Sequence, residues 1–307
     1  MTKVLVATDK PFASIAVKGI RKVVEEAGFE LILLEGYTSQ DDFAKAIADT
    51  DAVIVRSDKT DKFIIEAGKN LKIIVRAGAG FDNIDLPAAT AKGVCVMNTP
   101  GQNSNAVAEL ALGMMVCHAR NFFNGKSGSE LQDKKIGIHA YGAVGKNVAR
   151  IAKGFGMEVY AFDPFVKKED IEKDGVKCLG SVDELYRTCS YVSLHIPSNS
   201  QTKLSINYKL LSSMPACAVL VNTARAEVIN ETDLLKIFGD RKDFVYLSDV
   251  EPTNKAEFEA NFKGRFFFTP KKMGAQTEEA NVNAGIAAAT QIVNFLKYGD
   301  RSFQLNK

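Results

Sequence analysis

The chain has 307 residues, enough for two domains of ordinary size, and its 46% apolar and 25% charged content is that of a soluble globular protein. A net charge of +2 without a dense Lys/Arg block argues neither for a nucleic-acid nor for a membrane-surface partner, and none is expected. No apolar run reaches the length of a membrane span and the N-terminus enters a strand pattern with no signal core, so the expected setting is cytoplasmic.

Val4 to Ala7 reads as a buried strand, and Phe12, Ile15, Ala16, Ile20, Val23, Val24 and Ala27 repeat at helical spacing until Gly28 stops them. Further strands are expected at Leu31 to Leu34, Ala52 to Val55, Ile73 to Val75 and Val94 to Met97, separated by segments of helix length. Repeated βαβ of this kind predicts a parallel, doubly wound sheet. Asn98 to Asn103 is dense in turn formers and marks a domain boundary. Within this half, Arg76-Ala77-Gly78-Ala79-Gly80 follows a strand directly, a small-residue turn whose open N–H groups suit a carboxylate. Arg56 ends the preceding strand, on the same sheet edge. The alternative is that both arginines merely pair with surface acids.

Ser104 to Arg120 reads as one long helix, followed by a polar segment. Ile136 to Tyr141 is then an apolar run of strand length, leading into Gly142 and Gly145 and a helical pattern closed by Gly156. A second β-rich run, Val159 to Phe162, ends on Asp163, 18 residues after Gly145. This is a βαβ unit with a glycine-rich first turn and an acidic residue at the tip of its second strand, the pattern of dinucleotide binding. The glycines let backbone approach a pyrophosphate at the helix start, and Asp163 suits a ribose while repelling a 2′-phosphate, which favours NAD. The first glycine of the fingerprint is Ala140 here, so its turn is expected to differ or to be mildly strained.

Strands are expected again at Tyr191 to Leu194, Ala218 to Val221, Phe244 to Leu247 and Phe266 to Phe268, and Thr277 caps a final helix running to about Tyr298. Val221-Asn222-Thr223-Ala224-Arg225 ends one of these strands with a guanidinium where α/β sheets bind ligands, and Arg225 can hold a carboxylate bidentately. Lys271 and Lys272 follow the last strand at the same edge; adjacent lysines are commonly only solvated charge. Of the three histidines, His139 and His195 end strands and His118 lies on the long helix. None has a partner at metal-ligand spacing, so no metal is expected. The five cysteines, Cys95, Cys117, Cys178, Cys189 and Cys217, lack pair spacing and read as reduced thiols.

Over nearly its whole length the sequence resembles the D-isomer-specific 2-hydroxyacid dehydrogenases, and within them the members that act on 3-phosphoglycerate. The segments that carry the resemblance are RAGAGFDNIDLPAATAKGVCVMNTPGQNSNAVAEL (Arg76 to Leu110), GIHAYGAVG with Asp163, VNTARAEVIN (Val221 to Asn230) and TPKKMGAQTEEA (Thr269 to Ala280). The resemblance implies an α/β fold of two doubly wound domains: a flavodoxin-like substrate domain (1–98 with 276–307) and a Rossmann NAD-binding domain (99–275). It implies hydride transfer between NAD and C2 of a phosphorylated 2-hydroxy acid, yielding 3-phosphohydroxypyruvate at the entry to serine synthesis. It matches Arg225 to the catalytic arginine, Arg56 and Arg76 to a phosphate-binding pair, and Ala77, Gly78 and Ala79 to the substrate turn. Cofactor positions so implied are Ala79, Tyr141, Gly142, Ala143, Val144, Gly145, Asp163, His195, Ile196, Pro197, Thr223, Ala224, Asp249, Gly274 and Ala275. A homodimer through the Ser104 to Arg120 helix is likewise implied, and closure of two domains about a cleft is expected with hinges near Asn98 to Gly101 and Gly274 to Gln276. The short-form chain is expected to lack a regulatory extension.

Two catalytic positions depart from the family pattern. The acid/base histidine of a Pro-His-x-Gly segment is replaced by Pro270-Lys271-Lys272-Met273-Gly274, one residue longer, so either Lys271 or Lys272 takes its place. The segment bearing the partner glutamate is shortened to Asp249-Val250-Glu251-Pro252, which puts the reach of Glu251 in question. The two changes fit together: a lysine base near neutral pH needs its pKa lowered, and an adjacent carboxylate would raise it. Two other readings stay open, a hydroxypyruvate or glyoxylate-type reductase and a non-catalytic NAD-sensing module; retention of Arg225 argues against the second.

Overall fold

The computed structural model describes Met1–Asn306, which form two compact units, one of Met1–Asn103 with the chain from Gln276 onward and one of Ser104–Ala275. The first unit holds β1 (Lys3–Thr8), β2 (Glu30–Glu35), β3 (Ala52–Val55), β4 (Ile73–Arg76) and β5 (Cys95–Asn98). The strands run in the order β2-β1-β3-β4-β5 and every pair is parallel. That is the flavodoxin-like order.

A strand alternates its side chains between two faces, so an uninterrupted apolar strand feeds two cores. Val4 and Val6, Ala52 and Ile54, and Ile73 and Val75 enter one cluster with Ala16, Ile20 and Ala288 from the helices Ser14–Glu26 and Glu278–Tyr298. Leu5 and Ala7, Val53 and Val55, and Ile74 enter the other with Phe43, Ile47 and Ile64. Thr277 caps the final helix, its hydroxyl accepting from Ala280 N at 3.1 Å.

The second unit holds β6 (Lys135–His139), β7 (Glu158–Phe162), β8 (Lys177–Cys178), β9 (Tyr191–Leu194), β10 (Val219–Asn222), β11 (Val245–Ser248) and β12 (Phe266–Phe268). Their order is β12-β11-β10-β9-β6-β7-β8, again all parallel. From β8 to β11 this is the dinucleotide-binding order, whose direction reverses beside β6. The expected fold class is therefore observed. The two-residue β8 was not foreseen. The strand expected to run to Tyr141 stops at His139, because Ala140 leaves the strand conformation with φ +81°.

Among the described residues no helix is long and apolar enough to cross a membrane, and no cluster of three or more His, Cys, Asp or Glu could hold a metal ion. The five cysteines are free thiols.

Candidate active site

In the second unit the chain leaves β6 through Ala140 and Tyr141 and starts the helix Ala143–Gly154 on Gly142. Ser39, Asp61, Asp85, Ser181, Asn207, Asn230 and Thr277 each cap a helix with a side chain, but Gly142 has none to offer, so the first-turn N–H groups stay open to a ligand. The two glycines differ in what they are for. A Cβ on Gly145 would lie 2.3 Å from the Ala140 carbonyl oxygen, so Gly145 lets the helix pack on the strand. A Cβ on Gly142 would meet nothing within 4 Å, and the empty space there is a cradle that a pyrophosphate fits.

Asp163, one residue beyond β7, is held in place by backbone: Oδ2 accepts from Tyr141 N at 2.7 Å and Oδ1 from Phe165 N at 2.8 Å. Each oxygen retains a lone pair for a ribose hydroxyl. Tyr141 itself is buried and its hydroxyl donates to Asp174 Oδ2 at 3.0 Å, so its role is to pack beneath the turn. Uncapped helix, open cradle and fixed carboxylate together fit an adenine dinucleotide without a 2′-phosphate.

At the carboxyl end of β10, buried Asn222 folds the next three residues into a turn. Its Oδ1 accepts from Ala224 N at 2.9 Å while its Nδ2 donates to Arg225 O at 3.0 Å and to Tyr246 Oη at 3.3 Å. Arg225 leaves this turn exposed, with Nη1 donating to Ala224 O at 2.9 Å. Lys272 Nζ reaches the same carbonyl oxygen at 3.5 Å. Lys271 is exposed and makes no hydrogen bond or ion pair among the described residues. Asp249, just after β11, binds the lysine-bearing turn through Thr269, Met273 and Gly274.

Glu251 does not join this group. It is exposed and forms an ion pair with Lys255 at the start of the helix Lys255–Asn261, because the shortened segment turns into that helix immediately. In this structure its partner is thus Lys255 and not one of the two lysines of the turn. Ile196 and Thr223 are buried beside the exposed Pro197. His195 bonds Ser193 Oγ at 2.9 Å, and burial together with neighbouring His139 pushes its pKa down to about 3. His139 lies against Tyr186 Oη at 3.3 Å, and burial lowers it to about 4. Both rings are neutral at physiological pH, His139 at the end of β6 and His195 just after β9. A cavity of about 590 Å³ in this unit is lined by Lys135, Tyr191 and Cys217, at the amino ends of strands and so at the edge opposite the glycine-rich turn.

In the first unit, Arg76 is the last residue of β4 and its Nε donates to Arg56 O at 3.1 Å. Its guanidinium lies over Gly78, where a Cβ would fall 1.5 Å from Nη1 and where φ is +143°, so only glycine fits. Burial, then the neighbouring Arg56 charge, lowers the Arg76 pKa. Gly78 N donates to Thr99 Oγ1 at 2.7 Å, Ala77 N to Val55 O at 2.8 Å, and Asn98 Nδ2 to Ala79 O at 2.6 Å, which fixes the turn. The Arg56 guanidinium stacks over Phe12 at 5.1 Å and donates to Lys10 O at 3.0 Å, Pro11 O at 3.3 Å and Asn281 Oδ1 at 2.8 Å. None of Arg56, Arg76 and Arg225 forms an ion pair among the described residues, which removes the reading of the first two as surface ion-pair partners. Asn222, Thr99 and Asn281 are contributors that sequence reasoning missed; a polar residue in a strand end or helix gives no sign of a partner far along the chain.

Two doubly wound sheets, the second built for a dinucleotide, define the class: a two-unit nicotinamide-nucleotide oxidoreductase fold. The family model for the "D-isomer specific 2-hydroxyacid dehydrogenase, NAD binding domain" matches residues 106–270. The chain belongs to that family and carries its NAD-binding domain. It is 35% identical over 291 residues to a D-3-phosphoglycerate dehydrogenase of Methanocaldococcus jannaschii, covering 90% of this chain and 55% of the relative. It is 35% identical over 281 residues to a hydroxypyruvate reductase of Thermotoga maritima, covering 86% of this chain and 90% of the relative. The crystal structure of an NAD+-bound 3-phosphoglycerate dehydrogenase of Entamoeba histolytica superposes with a TM-score of 0.85 at 48% identity, over 100% of this chain and 99% of that one. The chain spans about half the length of the first phosphoglycerate dehydrogenases it matches.

Proposed function

We propose that this chain is an NAD-dependent dehydrogenase oxidising D-3-phosphoglycerate to 3-phosphohydroxypyruvate, with Lys272 as acid/base, Arg225 as carboxylate clamp, and Arg56 with Arg76 as the phosphate pair. The observation that carries the reading is that three guanidinium groups at the carboxyl ends of parallel strands donate, among the described residues, only to neutral acceptors. A guanidinium has five N–H donors. Arg76 and Arg225 each donate one here, to a backbone carbonyl. Each therefore retains the paired donors that recognise a carboxylate or phosphate.

Ala143, Val144 and Gly145 would hold the pyrophosphate and Asp163 the adenosine ribose. When bound, the nicotinamide supplies the acceptor for the hydride leaving C2. Lys272 takes the hydroxyl proton in its neutral form, and Arg225 donates to the substrate carboxylate and to the oxygen that becomes the carbonyl. Lys272 is preferred over Lys271 because it shares an acceptor with Arg225. The engagement of Glu251 with Lys255 suits a lysine, whose protonated form an adjacent carboxylate would favour.

The test is NADH formation from D-3-phosphoglycerate and from D-glycerate by wild type, Arg56→Ala and Arg76→Ala. The expected result is a KM for the phosphorylated substrate raised about tenfold or more, against little change for D-glycerate, each lost charge-assisted contact being worth roughly 1.5–3 kcal/mol. A wild type that turns over hydroxypyruvate or glyoxylate but not phosphoglycerate would overturn the reading. A cytoplasmic homodimer belongs to the same proposal, supported by the free thiols and by half-buried Leu110 and Val116 on the helix Ser104–Ala119. Light scattering should give twice the chain mass of 33.4 kDa, and a monomer would remove that part.

A further inference from the structure

We infer that Asp249 is the positioning residue for Lys272: its buried carboxylate ties the lysine-bearing turn at both ends and so sets where the Lys272 ammonium projects. The inference rests on the reading of Lys272 as acid/base. Asp249 is 1% exposed, and three donors from the same turn converge on it. Thr269 Oγ1 at 2.9 Å and Met273 N at 2.7 Å donate to Oδ1, and Gly274 N at 2.8 Å donates to Oδ2. Thr269 precedes the two lysines and Met273 and Gly274 follow them, so one side chain grips the turn from both flanks.

The anchor is itself fixed. Asp249 N donates to Asn222 O at 2.9 Å, at the strand end from which Ala224 and Arg225 leave. Asn222 thus holds both sides: Ala224 N donates to its Oδ1 and Asp249 N to its backbone oxygen, while Lys272 Nζ reaches the carbonyl of the same Ala224. Gly274 permits the clamp, since a Cβ there would stand 2.9 Å from Asp249 Oδ2 and 3.2 Å from Val107 Cγ2. Bonds from N–H and O–H groups to a carboxylate are about twice as strong as neutral ones. Lys271, Lys272 and Met273 are exposed, so packing fixes the turn less than this clamp does. The resemblance also assigns Asp249 to the cofactor lining, and its Oδ2, which takes a single bond from the turn, keeps a lone pair for that contact.

The two roles separate in experiment. Asp249→Asn keeps the shape but turns an amide NH2 toward an N–H donor, and Thr269→Val removes one donor at constant shape. Acid/base catalysis contributes typically about 10²–10⁴-fold, so Asp249→Asn should lower kcat by about thirtyfold and Thr269→Val by about three- to tenfold. Thr269→Val should leave the NADH dissociation constant, read by nicotinamide fluorescence, within about threefold. In a Lys272→Ala background neither should lower the residual rate further, which is the signature of action through that lysine. Loss of NADH affinity in proportion to kcat in Thr269→Val, or the same fold-loss in the Lys272→Ala background as in wild type, would overturn the inference. Should Asp249→Asn fail to fold, Thr269→Val decides by the same cycle. Wild-type turnover by Lys272→Ala alone would instead remove the reading of Lys272, and this inference with it.

Discussion

Arg225 and Lys272, 47 residues apart in sequence, meet at one acceptor, the carbonyl oxygen of Ala224, at 2.9 Å from Nη1 and 3.5 Å from Nζ. Lys271, although adjacent, points its ammonium at no protein acceptor among the described residues. The pair therefore makes different demands on two neighbouring lysines. Lys272→Met should lower kcat by about 10²–10⁴-fold, the range of a lost acid/base, with NADH binding retained. Lys271→Ala should stay within about threefold, as an exposed substitution does. Steady-state NADH formation across pH 6 to 10 reads both, and the opposite ranking would move the base to Lys271.

Sequence pattern carried the fold well and the site in part, for a reason visible in particular residues. The strands around Val4, Ala52, Tyr191 and Phe266 were legible because each is an apolar run whose alternate residues enter two cores. β8 escaped because two residues have no period. Arg56 could be placed at a strand end, but not its support by Asn281, which lies 225 positions away. The choice between Lys271 and Lys272 was closed to counting because the turn carries an extra residue, and the proposal of Lys272 rests on a spatial contact, with the Ala224 carbonyl, that sequence does not carry. The partner of Glu251 could not be read from sequence because it is set locally, by the helix start that delivers Lys255 to it.

Gly142 and Gly145, three residues apart, should respond oppositely to alanine. Gly142 has ordinary φ and open space, so Gly142→Ala should cost no more than about 1 kcal/mol at a helix N-cap while weakening NADH binding by about tenfold or more, because the methyl occupies the pyrophosphate cradle. Gly145→Ala drives a methyl to 2.3 Å from the Ala140 carbonyl, and should lower stability by roughly 1–3 kcal/mol whether or not cofactor is present. Thermal unfolding with and without NADH separates them. Equal loss of stability in both would refute the assignment of Gly142 to the ligand.

Ala140 sits at φ +81°, in the left-handed region where an L-residue is strained by roughly 1–2 kcal/mol. Its N–H still donates to Phe162 O at 2.9 Å, so the strand pairing continues while the backbone turns. Replacing it with glycine relieves the strain and adds back about 0.5–1 kcal/mol of unfolded-state entropy. Ala140→Gly should therefore be neutral to stabilising, raising Tm by up to about 3 °C, where an alanine-to-glycine change ordinarily lowers it. A lower Tm would show that the turn is not strained.

His139 gives the protein an acid limit. Burial depresses its folded pKa to about 4, below the unfolded value near 6.5, so the unfolded chain binds its proton first as pH falls. The sign follows: stability is intact above about pH 6.5 and is lost progressively down to about pH 4, because protonation is stored in the unfolded state. Neighbouring His195, pushed to about 3, adds its own loss over an overlapping range. One proton's difference gives a slope of up to about 1.4 kcal/mol per pH unit for His139 alone. His139→Gln keeps a polar group near Tyr186 and cannot protonate, so its urea-unfolding free energy should fall less steeply between pH 6.5 and 4 by up to that amount, whatever its stability at pH 7. Parallel slopes for variant and wild type would mean that His139 already carries its proton in the folded state, and the neutral strand-end role assigned to it would fall.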